Sequence, residues 1–160
     1  MSTEKLKISK PSDTELCIER VFDAPRQLVW DAHTKPDLIK RWLTGPPGNT
    51  LPICELDLRV GGALRYVWRL EDASEMSMRG SYRELNPPER IVHTEFFEDF
   101  PHGGESVVTT LFIEEGDKTR VSMTTKYATT EALDANQEYG MEEGVGASYE
   151  NLDLLLTDRS

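Results

Sequence analysis

RVFDAPRQLVWDAHTKPDLIKRWLTGPPGNTLPICELDLRVGG, residues 20–62, is the stretch whose reading decides the fold. It reads as the end of a strand, two short helices split at Pro36, a Gly-Pro loop, a second strand and a Gly-Gly turn. Pro25 supplies a fixed φ for a first helical turn, and Asp23 just upstream is placed to cap exposed N–H groups. Leu28, Val29 and Ala32 follow at helical spacing, with Trp30 and Trp42 adding large apolar surfaces. Helices are therefore predicted at 25–33 and 36–43. The loop TGPPGNTLP (44–52) is too rich in proline and glycine to be regular.

Upstream, TELCIERVF (14–22) alternates Leu16, Ile18 and Arg20 against Cys17, Glu19 and Val21, the pattern of a first strand. Residues 1–12 read as a flexible arm ending near Pro11, which leaves 13–160 as one domain. Downstream come strands separated by turn signals, at 53–58, 63–70, 76–85, 90–98, 106–115 and 119–128. ALRYVWRL (63–70) is the cleanest, with Leu64, Tyr66, Trp68 and Leu70 on one face. Short links between successive strands mean antiparallel hairpins. From Thr130 to Thr157 the spacing turns helical, with a stripe through Leu133, Met141, Ser148, Leu152 and Leu156. A break is predicted near Gly140, since Gly140, Gly144 and Gly146 each weaken a helix.

The predicted fold class is α+β: a curved seven-stranded antiparallel sheet around a long C-terminal helix, with two short helices after the first strand. A sheet that curves around a helix carrying glycines instead of bulky residues leaves space between them. An internal pocket is the consequence.

The bulk numbers narrow the function. At 160 residues the chain can bury a real core. Its formal net charge of −11 argues against a nucleic-acid groove and against anionic membranes. No apolar run reaches the length of a transmembrane helix, and the polar start MSTEKLKISKPSD has no signal-peptide core. A cytoplasmic location is the expectation. Cys17 and Cys54 have no CxxC spacing and read as small buried hydrophobes, and the three histidines lack zinc spacing, so neither metal nor cofactor is expected.

Five segments carry a family resemblance: RVFDAPRQLVWDAHTKPDLIKRW (20–42), CELDLRVGGALRY (54–66), GSYRELNPPERIV (80–92), GDKTRVSM (116–123) and GMEEGVGASYENLDLLL (140–156). In this order they resemble the START-like (SRPBCC) superfamily, with the helix-grip fold of the birch pollen allergen. Within it the chain is most similar to the group named after activators of the heat-shock-protein-ninety ATPase. The resemblance implies the helix-grip fold, and lipid carriers, hormone receptors, polyketide cyclases and co-chaperones as relatives, the last with a link to stress response. It also implies an apolar or aromatic side chain near position 95, where this chain carries Glu95.

Two sets of residues bear on function. The aromatic set Trp30, Trp42, Tyr66, Trp68, Tyr82, Tyr127 and Tyr149 can line an elongated pocket, with phenols as its few polar anchors, or can simply be core. His93 and Glu95 share one face of a strand. With Ile91, His93, Glu95 and Phe97 inward they anchor a polar group or serve acid–base chemistry; with Val92, Thr94 and Phe96 inward they are solvated. Periodicity leaves both faces open, and the resemblance favours the first. His33, at a helix end, and His102, in a glycine-rich loop, are predicted to be solvent-exposed.

The expected role is non-enzymatic binding of a small apolar or amphipathic ligand. Trp42, Tyr66, Trp68, Tyr82, Met123, Tyr127, Met141 and Tyr149 supply contact area, His93 and Glu95 polar anchors, and the mouth lies near the two short helices and the 98–105 loop. The alternatives are co-chaperone-like activation of an ATPase and a cyclase- or hydrolase-like enzyme using His93 and Glu95. A homodimer and a chaperone stay open as partners.

Overall fold

The computed structural model describes residues 6–100 and 103–157; the expectation for His102 lies outside them. In chain order the elements are β1 (Lys7–Ser12), β2 (Glu15–Phe22), α1 (Arg26–Thr34), α2 (Pro36–Trp42), β3 (Thr50–Leu56), β4 (Ala63–Arg69), β5 (Glu75–Asn86), β6 (Arg90–Phe97), β7 (Ser106–Glu115), β8 (Lys118–Lys126), α3 (Thr130–Glu138) and α4 (Met141–Thr157). The strands form one antiparallel sheet in the order β1-β2-β8-β7-β6-β5-β4-β3. From β3 onward each strand pairs with the next; the helical excursion α1–α2 separates β2 from this series, whose last strand, β8, returns beside β2. The architecture is α+β, with the sheet and C-terminal helix arranged as in a helix-grip fold.

The strand count corrects the sequence reading: eight, not seven. Residues 7–12, expected in a flexible arm, pair with β2 through Lys7↔Glu19, Ile8↔Ile18 and Ser9↔Cys17. All six side chains of KISKPS are exposed. A strand solvated on both faces has no apolar alternation to read, and its lysines and Pro11 are residues found on sheet edges.

In β2 the alternation is visible as burial: Leu16, Ile18, Arg20 and Phe22 are buried, while the residues between them are half-exposed. Arg20 sits on the face that α4 covers, 3.2 Å from Glu150 and 3.8 Å from Asp153. Pairing an almost fully buried guanidinium with acids from the helix ties α4 to the sheet at this point, because an unpaired charge there is costly. Just beyond, Phe22 meets Tyr149 of α4 edge-on at 5.3 Å. Phe22, Leu16 and Ile18 on β2, Phe112 on β7, Ile39 on α2, Leu133 on α3 and Leu152 on α4 are fully buried, so every layer contributes to one core.

Two glycines shape the sheet and the helix. At Gly80 in β5 a Cβ would lie 1.8 Å from the Thr94 carbonyl oxygen of β6, so only glycine permits this backbone approach. Gly140 has φ +89° and separates α3 from α4, at the predicted break. Thr129 caps α3, its Oγ1 accepting from the Ala132 N–H at 3.0 Å. Asp23, expected to cap α1, does not: Pro25 itself occupies the N-cap position, with ψ 150° and no side-chain cap, so Asp23 lies too far upstream.

Candidate functional site

A cavity of about 580 Å³ lies between the concave face of the sheet and the helices. Its walls come from α1 and α2, from strands β4 to β8, and from α3 and α4. Exposed residues at its edge, Pro46, Ser74, Glu75, Asp99, Gly104 and Tyr139, mark a mouth between the 43–49 loop, the β4–β5 turn, the loop before β7 and the α3–α4 joint. On α4, Gly144 borders this space, and a Cβ there would meet nothing within 4 Å.

Trp42, Tyr66, Trp68, Tyr82, His93, Glu95, Met123, Tyr127, Met141 and Tyr149 all line this cavity. Trp30 does not; it is buried against Phe112, with ring centroids 5.4 Å apart. Both lining indoles spend their N–H on backbone: Trp42 Nε1 donates to Ala32 O and Trp68 Nε1 to Leu43 O, each at 2.8 Å. The rings are thereby fixed in orientation and offer the chamber only apolar surface. Trp68 stacks on Phe97 at 6.2 Å and takes Tyr66 edge-on at 5.7 Å, forming one aromatic wall.

On β6 the inward face is Ile91, His93, Glu95 and Phe97. The opposite face turns Thr94 toward β5, where its Oγ1 accepts from the Ser81 N–H at 3.0 Å. His93 Nε2 and Glu95 Oε2 are 3.0 Å apart, both side chains only partly exposed. The two groups therefore form one polar pair beside the aromatic wall of the chamber.

His33 is corrected. Expected in solvent at the end of α1, it lines the cavity instead, its ring 4.9 Å from both Trp42 and Phe112. Its Nδ1 lies 2.8 Å from the Val29 carbonyl oxygen, so Nδ1–H donates and Nε2 is left with a lone pair. Burial lowers its pKa from 6.5 to about 4, against the Val29 hydrogen bond, which raises it; nearby His93 lowers it further. At neutral pH the ring is an uncharged acceptor. A signal was present in the sequence, since His33 stands four residues after Val29 and so on the same buried helix face.

Burial also pushes the phenols of Tyr66, Tyr82, Tyr127 and Tyr149 upward; Tyr82, Cys54 and Glu95 add to this at Tyr66, and Glu95 and Glu142 at Tyr127. All four stay protonated and able to donate. Cys54 is buried and its thiol is pushed up to about 11, mainly by burial, so it is no nucleophile at neutral pH. Among the described residues no group of three or more His, Cys, Asp or Glu could hold a metal ion. Among the described residues no helix is long and apolar enough to cross a membrane.

Such a chamber can bury a small apolar body and hydrogen-bond it at a few points. The family profile described as activator of Hsp90 ATPase homolog 1-like protein matches residues 23–157. No match was found among curated proteins. Among solved structures, a Rhodobacter sphaeroides protein is 30% identical, with a TM-score of 0.89 over 96% of this chain and 99% of that one. A Mycobacterium smegmatis protein is 25% identical, with a TM-score of 0.87 over 98% and 99%. An Arthrobacter aurescens protein, 23% identical with a TM-score of 0.84 over 96% and 92%, shares the fold.

Proposed function

This chain belongs to the activator of Hsp90 ATPase homolog 1-like family, and from that premise we propose that it binds a small apolar or amphipathic molecule in the chamber between the sheet and α4. The observation that carries this is the chamber itself: about 580 Å³, walled by oriented indoles and aliphatic side chains, with a few converging polar groups. That is the composition of a ligand site rather than of a filled core. His93 and Glu95 serve as polar anchors on its sheet side. The protein acts in this reading as a cytoplasmic carrier or sensor and not as an enzyme.

The test is a panel of sterols, aromatic polyketides and fatty acids titrated against tryptophan fluorescence and melting temperature, since Trp42 and Trp68 both face the chamber. A Gly144→Phe variant projects a ring into the hollow and should abolish any response while the fold stays intact. If no class of compound moves either signal in the unmodified protein, the reading fails. A second reading, modulation of a chaperone ATPase, takes its support from the family description and from the net charge of −11, which suits a basic partner surface. Salt-sensitive binding to such a chaperone together with altered ATP turnover would establish it; an unchanged turnover rate and no binding would remove it.

A further inference from the structure

The electrostatics of the chamber are one-sided. Its acidic side chains are Glu75, Glu95 and Asp99, and among the described residues no lysine or arginine lines it. Glu95 sits within the aromatic part of the wall, close enough for its charge to act on the Tyr66 and Tyr127 hydroxyls. Lysine and arginine are therefore missing from the described surroundings of the polar pole, the imidazole of His93 is already paired with Glu95 at 3.0 Å, and a carboxylate brought there would meet Glu95 across a medium of low dielectric. His33 adds an acceptor, since Nδ1–H is committed to Val29 and Nε2 makes no hydrogen bond among the described residues, and its burial against the rings of Trp42 and Phe112 keeps the imidazole uncharged at neutral pH. Hydroxyls such as those of Ser106, Thr110 and Thr125 also line the chamber and can both donate and accept; in its aromatic part the donors are phenolic O–H groups, and the acceptors are His33 Nε2 and the Glu95 carboxylate.

Resting on the cavity reading above, we propose that the chamber selects an uncharged apolar molecule bearing a hydroxyl, whose O–H is accepted by His33 Nε2 or Glu95 and whose oxygen is donated to by a tyrosine, and that it rejects carboxylates of the same shape. A hydroxyl both donates and accepts, so it satisfies groups on both sides of the pole. A carboxylate only accepts, leaves the His33 lone pair unmet and adds a second negative charge. Discrimination of this kind follows from polar groups that go unpaired with the wrong guest, which is a stronger filter than apolar fit.

Three probes on one skeleton test it: 2-naphthol, 2-naphthoate and naphthalene, titrated calorimetrically at neutral pH into the full chain. The expected result is 2-naphthol binding at least about tenfold more tightly than 2-naphthoate, with naphthalene weaker than the naphthol. Glu95→Gln should narrow the naphthol-to-naphthoate ratio several-fold. His33→Phe should bring naphthol down toward naphthalene while leaving naphthalene itself unchanged, which a general loss of folding would not do. Naphthoate binding as well as or better than naphthol overturns the selectivity and leaves the cavity reading standing. Binding of none of the three, or binding that survives Gly144→Phe, overturns both.

Discussion

Acidification singles out His33. Its pKa lies near 4 in the fold and at 6.5 in an open chain, so the unfolded state takes up the proton first. The contribution is therefore present above about pH 6.5 and is lost as pH falls toward 4. Between about pH 7 and about pH 5 this one group removes about 2 kcal/mol of stability. For a chain of this length that corresponds to roughly 4–8 °C in melting temperature. The groups around it are the Val29 carbonyl, the rings of Trp42 and Phe112, and His93 on the facing strand. Carboxylates contribute their own acid slope, so the measurement is a difference. Urea unfolding of the parent and of His33→Asn, which keeps a donor for Val29, is followed across that pH range. The two stability curves should converge by about 2 kcal/mol on going from neutral to acid pH. Curves that stay parallel would refute the burial of a neutral imidazole and with it the acceptor assigned to the chamber.

Three further outcomes follow from the backbone. Gly80→Ala places a methyl against the Thr94 carbonyl and should cost about 3 kcal/mol or more in denaturant unfolding, with β5–β6 hydrogen exchange accelerated. Gly144→Ala meets open space in a helix and should stabilise by roughly 0.5–1 kcal/mol; a destabilised protein would mean that the hollow is closed there. Thr129→Ala removes the cap of α3 and should lower stability by about 1 kcal/mol, read from the urea midpoint at unchanged slope.

The elements with one dry and one wet face were legible in the sequence. β2 alternates in burial along its whole length and β4 from Ala63 to Tyr66, and the α3–α4 break stands at the predicted glycine. β1 was illegible because both of its faces are exposed. β3 was placed three residues late, since Pro52 in TLPICEL disguised a strand that already buries Leu51. The ten candidate residues converge on the cavity because the inward faces of the sheet and α4 follow their periods; β6 was ambiguous because Ile91 and Val92 are both buried. His33 was misplaced because a polar residue at a helix end next to Lys35 and Pro36 looks solvated. Its burial depends on α2 folding back so that Trp42 covers it, a long-range fact that local spacing does not carry.

A hollow of about 580 Å³ has room for on the order of twenty waters at their liquid volume. On the proposed binding reading, loading it would exchange solvent for guest, and the returning water should make the heat capacity of the complex fall. Tyr139 stands at the rim, 70% exposed beside the Gly140 joint. On the same reading an entering guest would meet that exposed ring before it reached the buried walls.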